Sequence, residues 1–269
     1  MGENKSKAAG PSEEEIAWDA RADRFNEHQR SNPSLVEEQV ISFLEETLSL
    51  KEARILDIGG GSGRYAIPLA RRAKEVVMTD FSAKMLMHAK NNAAEAGLDN
   101  IRFEKLDWSE ANVSDLCREG AFDLVFASMC PPLRREAEFE KMMAVSRGHC
   151  FINQFIYDKD SVGSFLDRRL GIVREFDPHN DRESLARFFN EIFKRGFDPQ
   201  IRYAKDEFEK RFSFGQALDI LRKDYGEIAR EKGADLEGLL EEYRQGTGAE
   251  DIFVEGKTVS AMILWEVRR

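Results

Sequence analysis

Ile55-Leu56-Asp57-Ile58-Gly59-Gly60-Gly61-Ser62-Gly63 places an apolar run containing one acid directly ahead of four glycines in five positions. The apolar part reads as a buried strand and the glycines as a tight loop at a ligand site. Glycine has no Cβ, so such a loop can take positive φ and let a ligand press on the backbone, while the helix behind it offers unpaired N–H groups. A nucleoside-bearing cofactor follows as the first expectation. The dinucleotide fingerprint wants glycines at the first, third and sixth positions. Here the sixth is Arg64, the third glycine comes early at Gly63, and Asp57 at the strand end would repel a pyrophosphate. An acid there suits a cationic ligand.

S-adenosylmethionine has that character, with an α-ammonium, a sulfonium and no phosphate. Val76-Val77-Met78-Thr79-Asp80 then reads as the second strand, with Asp80 placed to accept hydrogen bonds from ribose hydroxyls. Ile101 to Leu106 reads as a third strand ending at Asp107-Trp108, and Phe122 to Ala127 as a fourth.

With these segments in order, the chain resembles the class I S-adenosylmethionine-dependent methyltransferases over roughly Leu35 to Tyr157. The matching stretches are Ile55 to Gly63, Val77 to Phe81, Leu106-Asp107-Trp108, and Phe122 to Pro132. The resemblance implies that Gly59, Gly61 and Gly63 pass the methionine moiety, Asp80 the ribose, Asp107 the adenine amino group, and Phe81 and Trp108 the adenine faces. Asp57 joins this cofactor set. The resemblance also implies an α/β, Rossmann-like, doubly wound sheet of seven mostly parallel strands with an antiparallel strand at its end.

The 269 residues suffice for a sizeable core. Lys and Arg number 40 against 50 Asp and Glu, a formal net charge of −10, which disfavours nucleic acid as partner. No apolar run is long enough for a membrane span, and the polar start, Met1 to Glu15, lacks a signal core, so a cytoplasmic protein is expected. Cys117, Cys130 and Cys150 lack paired metal spacing, and neither a structural zinc nor a disulfide is expected.

Residues 1–12 read as a disordered leader and 13–50 as two helices, the second with an apolar stripe at Val36, Val40, Phe43, Leu44 and Leu48. The cofactor core covers 51–157. Its first helix is expected from near Ser62 to about Ala73, its second from the cap Ser82 to the stop at Gly97, and its fifth strand from Cys150 to Ile156. Within 158–269, Ser161 to Leu170, Arg182 to Arg195, Phe214 to Ala229 and Leu236 to Arg244 read as helices. Gln200 to Phe212 and Val259 to Val267 read as the edge strands, with Gly256-Lys257 turning into the last one. The segments Asp158 to Asp181 and Ser213 to Gly256 are expected to form a lid over the pocket.

The expected reaction is direct displacement at the sulfonium methyl, driven by alignment and exclusion of water. The residues expected to face that methyl run from Ser128 through Met129, Cys130, Pro131 and Pro132 to Leu133, and Ser128 is counted with the cofactor set. Amino-group methyltransferases often carry Asn or Asp, Pro, Pro and an aromatic residue here; Cys130 and Leu133 stand instead, which speaks against amide or exocyclic-amine methylation. Catalytic candidates are Cys130, for a soft acceptor, and His179 and Tyr157, as bases. His88 is expected at the surface, and Trp18 and Phe25 in helix packing or in closing the pocket. The functional expectation is a methyltransferase for a small-molecule acceptor. The alternatives are a protein or RNA methyltransferase, a non-catalytic S-adenosylmethionine-binding regulatory protein and, least of all, a nicotinamide oxidoreductase. Oligomeric state is open.

Overall fold

A computed structural model describes residues 10–31, 35–116 and 121–267. Most of the leader, the Asn32-Pro33-Ser34 break and Cys117 lie outside the described residues. The elements run α1 (Glu13–Ser31), α2 (Leu35–Thr47), β1 (Arg54–Ile58), α3 (Ala66–Ala70), β2 (Glu75–Asp80), α4 (Ala83–Glu95), β3 (Ile101–Lys105), α5 (Val113–Leu116), β4 (Phe122–Ser128), α6 (Glu136–Ala144), β5 (Ser146–Asp160), α7 (Ser161–Arg169), α8 (Arg182–Lys194), β6 (Gln200–Phe212), α9 (Phe214–Glu231), α10 (Leu236–Thr247) and β7 (Ile252–Glu266). The strands form one seven-stranded sheet ordered β3-β2-β1-β4-β5-β7-β6. The first five pair in parallel, and the C-terminal strands are antiparallel.

Two compact units divide the chain. One holds the described residues up to Asn153 with Phe189–Arg202 and the stretch from Met262; the other holds Gln154–Phe188 and Tyr203–Ala261. In the first, β1 and β2 are buried from their second residues onward because parallel strands are covered on both faces. Ile55, Leu56, Val76, Val77 and Phe126 are fully buried. The apolar stripe of α2 (Val36, Val40, Ile41, Phe43, Leu44) and that of α4 (Met85, Leu86, Ala89, Ala93) are buried too. In the second unit, Val162, Leu166 and Leu170 of the α7 segment pack with Leu218 and Leu221 of α9 and Leu240 of α10. Ser213 and Gln216 start α9 with a capping box. Among the described residues no helix is long and apolar enough to cross a membrane.

Three expectations are corrected. The first core helix is only Ala66–Ala70. Pro68 has no N–H for its ladder bond, although the Gly63 carbonyl accepts from Ile67 at 3.2 Å and that of Leu69 from Ala73 at 2.9 Å. The fifth strand starts earlier, at Ser146, through an irregularity opposite Phe122 and Leu124. Only glycine fits at 148 there, since a Cβ would meet the Asp123 carbonyl oxygen at 2.4 Å. Gly256 is not a turn but lies inside β7, where its missing side chain admits the Phe208 ring, whose Cζ is 2.1 Å from the place of a Cβ.

Candidate active site

The order β3-β2-β1-β4-β5 reverses direction between β1 and β4, and ligands of such sheets bind beyond the carboxyl ends of the strands at that point. The glycine loop leaves β1 there. Gly59 has φ 67°, a conformation that side-chain-bearing residues rarely take, and a Cβ on it would stand 3.2 Å from Cys130 Sγ. At Gly60 the constraint is space, because a Cβ would lie 2.7 Å from Met78 Cγ and 2.8 Å from Asp57 Oδ2. The loop is pressed onto β1 and β2 and held by Gly60 N–H to the Thr79 carbonyl (3.0 Å) and Gly61 N–H to Asp80 Oδ2 (2.9 Å).

Asp57, at the end of β1, is 2% exposed, and its Oδ2 has no hydrogen-bond partner among the described residues. Burial, with the charge of Asp80 second, pushes its carboxyl up to about 7. Asp80 Oδ1 accepts the Ser82 N–H at 2.9 Å, and burial raises its pKa despite that bond and the one from Gly61. Each carboxylate oxygen can accept more than one bond, so Asp80 retains acceptor capacity. Asp107 is half-buried and closes its own turn, its Oδ1 accepting Ser109 N–H (2.8 Å) and Oγ–H (2.7 Å). Trp108 is seated in the core at 3% exposure, its indole N–H on the Glu138 carbonyl at 3.0 Å, whereas Phe81 is half-buried.

Ser128 ends β4 beside Asn153 of β5, whose Nδ2 donates to its Oγ at 3.0 Å. Burial, then the Asp80 charge, pushes the Cys130 thiol up to about 12, so it stays protonated at neutral pH and is a poor nucleophile.

Helix α1 lies over the loop. The Phe25 ring comes within 3.5 Å of the place of a Gly61 Cβ, and Trp18 meets Phe25 edge-on at 6.1 Å. Ser62 Oγ donates to Gln29 Oε1 at 2.7 Å. Asp19 Oδ1 accepts from Ser82 Oγ (2.5 Å) and from Lys84 N–H (3.1 Å) at the start of α4. His88 is not a free surface residue; its ring pairs with Asp23 at 2.8 Å and its side chain is 15% exposed.

In the second unit His179 stacks on Phe155 at 5.4 Å, with Nδ1 3.2 Å from Asp158 Oδ2. Tyr157, partly exposed, lines an open cleft of about 710 Å³ with Lys159, Phe208, Glu209 and Glu255. The carboxyl ends of β1, β2 and β4 thus carry Asp57, Asp80 and Ser128, and His179 and Tyr157 belong to the other unit. Sequence reading missed Asn153, Asp19 and Tyr65, none of which stands in a motif. Among the described residues no group of three His, Cys, Asp or Glu could hold a metal ion.

Residues 55–148 match the family model described as a methyltransferase domain. The 23S rRNA (uracil(1939)-C(5))-methyltransferase RlmD of Aeromonas salmonicida is 33% identical over 145 residues, covering 51% of this chain and 33% of that protein. The chain spans about a third of the length of the curated relatives it matches. A putative type II methyltransferase from Anaeromyxobacter dehalogenans superposes with TM-score 0.56 at 16% identity, covering 85% of this chain and 95% of that one. A putative methyltransferase from Bacillus halodurans gives 0.53 at 13%, covering 86% and 100%. At such identities these structures establish the shared fold.

Proposed function

We propose that residues 55–148, which match a methyltransferase domain, form a class I S-adenosylmethionine-dependent one, and that the chain moves a methyl group from S-adenosylmethionine to a small-molecule acceptor by direct in-line displacement. The observation that carries the cofactor assignment is the buried Oδ2 of Asp57, unpartnered among the described residues, at the foot of the glycine loop. A buried carboxyl either keeps its proton or, when ionised, is paired with a positive group, and an ammonium-bearing, phosphate-free ligand can be that partner where a pyrophosphate cannot. Bound there, the cofactor supplies an electrophilic methyl on a positively charged sulfur.

The chain's own residues orient it. Gly59, Gly61 and Gly63 let it approach the backbone, Asp80 accepts from the ribose, and Asp107 receives the adenine amino group. Phe81 covers an adenine face, and Trp108 supports the Asp107 turn from the core. Cys130, held as a neutral thiol, fills space beside Gly59. His179 and Tyr157, both outside the family match, are the candidate bases.

RNA is the second reading, favoured by the names of the curated relatives. The net charge of −10 opposes it, since affinity for nucleic acid draws on phosphate neutralisation. Incubation with methyl-labelled S-adenosylmethionine and, separately, ribosomal RNA or a metabolite extract tests the choice. Label in the small-molecule fraction alone is expected; label in RNA would overturn the small-molecule reading.

A further inference from the structure

Side chains return to one face of a strand every second residue, so Phe126 and Ser128 of β4 share a face, as do Phe151 and Asn153 of β5. The register sets Phe126 beside Phe151 and Ser128 beside Asn153. The aromatic pair stacks at 4.8 Å and 10°. One step nearer the carboxyl ends, the pair is polar. Tyr65, just behind the glycine loop, spans both levels: its ring centroid lies 5.1 Å from that of Phe126, and its hydroxyl accepts from Asn153 Nδ2 at 3.2 Å. The same Nδ2 donates to Ser128 Oγ at 3.0 Å, so one amide group joins the two hydroxyls.

Asn153 is 1% exposed and Tyr65 5%. At such burial a missing partner costs the full desolvation of the group left behind, which favours a single arrangement. The Asn153 backbone acts on the same segment, its carbonyl accepting the Met129 N–H at 2.9 Å. Met129 is the one non-glycine residue with positive φ, 50°, among the described residues. Such a conformation persists only where the surroundings over-determine it.

We propose that Asn153 and Tyr65 are positioning residues that tie the glycine loop to Ser128–Cys130 and fix the Ser128 hydroxyl, so that the site distinguishes the methylated, positively charged sulfur from its neutral demethylated form. This rests on the S-adenosylmethionine reading above. The two forms differ only by the methyl and the charge it brings. Hydroxyl dipoles whose direction is set by a buried amide favour that charge without reorganising as it arrives or leaves. Without the Asn153 amide, Ser128 Oγ can rotate and the polar end of the strand pair loosens. The neutral form, which makes no demand on those dipoles, is held as before.

Titration calorimetry with S-adenosylmethionine and with S-adenosylhomocysteine tests this on the intact chain, comparing wild type, Asn153→Ala, Tyr65→Phe and the double variant. Affinity for S-adenosylmethionine is expected to fall about tenfold in Asn153→Ala, the scale of one hydrogen bond, while S-adenosylhomocysteine stays within about threefold. The double variant should be no weaker than Asn153→Ala, since both changes break one network. Equal losses for both ligands, or no change in either, would overturn the positioning role while wild-type binding upholds the functional reading. A wild-type chain that binds neither ligand overturns both. Should Asn153→Ala fail to fold, Tyr65→Phe, which removes one oxygen and keeps the ring on Phe126, decides by the same ratio.

Discussion

Asp80 opposes the ionisation of Asp57. The two carboxyls stand at the ends of the adjacent parallel strands β2 and β1; burial does most to push Asp57 up to about 7, and the Asp80 charge acts in the same direction. The ordinary value is 3.8, so the folded chain holds this proton more tightly than the unfolded one. The stabilisation is fully present below the unfolded value and is lost as pH rises through about 7. Asp57→Asn removes the titration. The variant should gain on wild type by several degrees in Tm between pH 5 and pH 8, given on the order of 1–4 kcal/mol for the bound proton. Thermal melts at both pH values check it, and a pH-independent difference would remove Asp57 as the source.

A cationic ligand changes the balance at the same carboxyl. If the cofactor's ammonium meets Asp57, it displaces the proton, and affinity for S-adenosylmethionine should rise up to about tenfold per pH unit below about 7 and level off above it. Calorimetry in buffers of different ionisation enthalpy should then show proton release at pH 6. In Asp57→Asn both effects should vanish; their persistence would place the linked proton elsewhere.

Gly60 tests how closely the loop is pressed on the sheet. In Gly60→Ala the new methyl meets Met78 Cγ at 2.7 Å and Asp57 Oδ2 at 2.8 Å, so these two buried side chains or the loop must shift. A loss of about 1–3 kcal/mol in denaturant unfolding is expected, with weaker cofactor binding. Gly97→Ala, which has open space but positive φ, should lose stability with cofactor affinity unchanged.

Helix α1 is joined to the loop and to α4 largely through polar groups: Asp19 to Ser82 and Lys84, Asp23 to Lys84 and His88, and Gln29 to Ser62. Asp19→Ala should therefore let α1 open more often than the core unfolds. Faster trypsin cleavage at Arg21, Arg24 and Arg30 is expected, with global Tm lowered only slightly. An unchanged cleavage rate would show that α1 is held by its packing alone.

Cys130 should react slowly with iodoacetamide at pH 7.5, because burial keeps its thiol protonated, and Cys130→Ser should leave cofactor affinity within about threefold. Rapid alkylation would revive a thiol role.

The glycine loop and the strand-end acids were legible because each is a local pattern: an apolar run, then a residue type demanded by that place. Asp80 follows Val76-Val77-Met78-Thr79 as Asp57 follows Ile55-Leu56. Asn153 was not legible, since its importance comes from the parallel register that sets it beside Ser128, with Tyr65 brought in from behind the loop. Gly256 beside Lys257 has the composition of a turn; only the Phe208 ring packed against it explains a glycine inside a strand. Pro68 shortens the helix expected from Ser62 to Ala73, and the helix around it is five residues long.

Calorimetric titration of the intact wild-type chain with S-adenosylhomocysteine at pH 8, repeated with Asp80→Ala, bears on everything above. Saturable binding with a Kd of about 1–100 μM, the range of ordinary substrate constants, is expected for wild type, weakened at least about tenfold in the variant. Absence of binding heat in a folded wild-type chain with S-adenosylhomocysteine, and likewise with S-adenosylmethionine, would contradict a sulfur-cofactor site at the glycine loop.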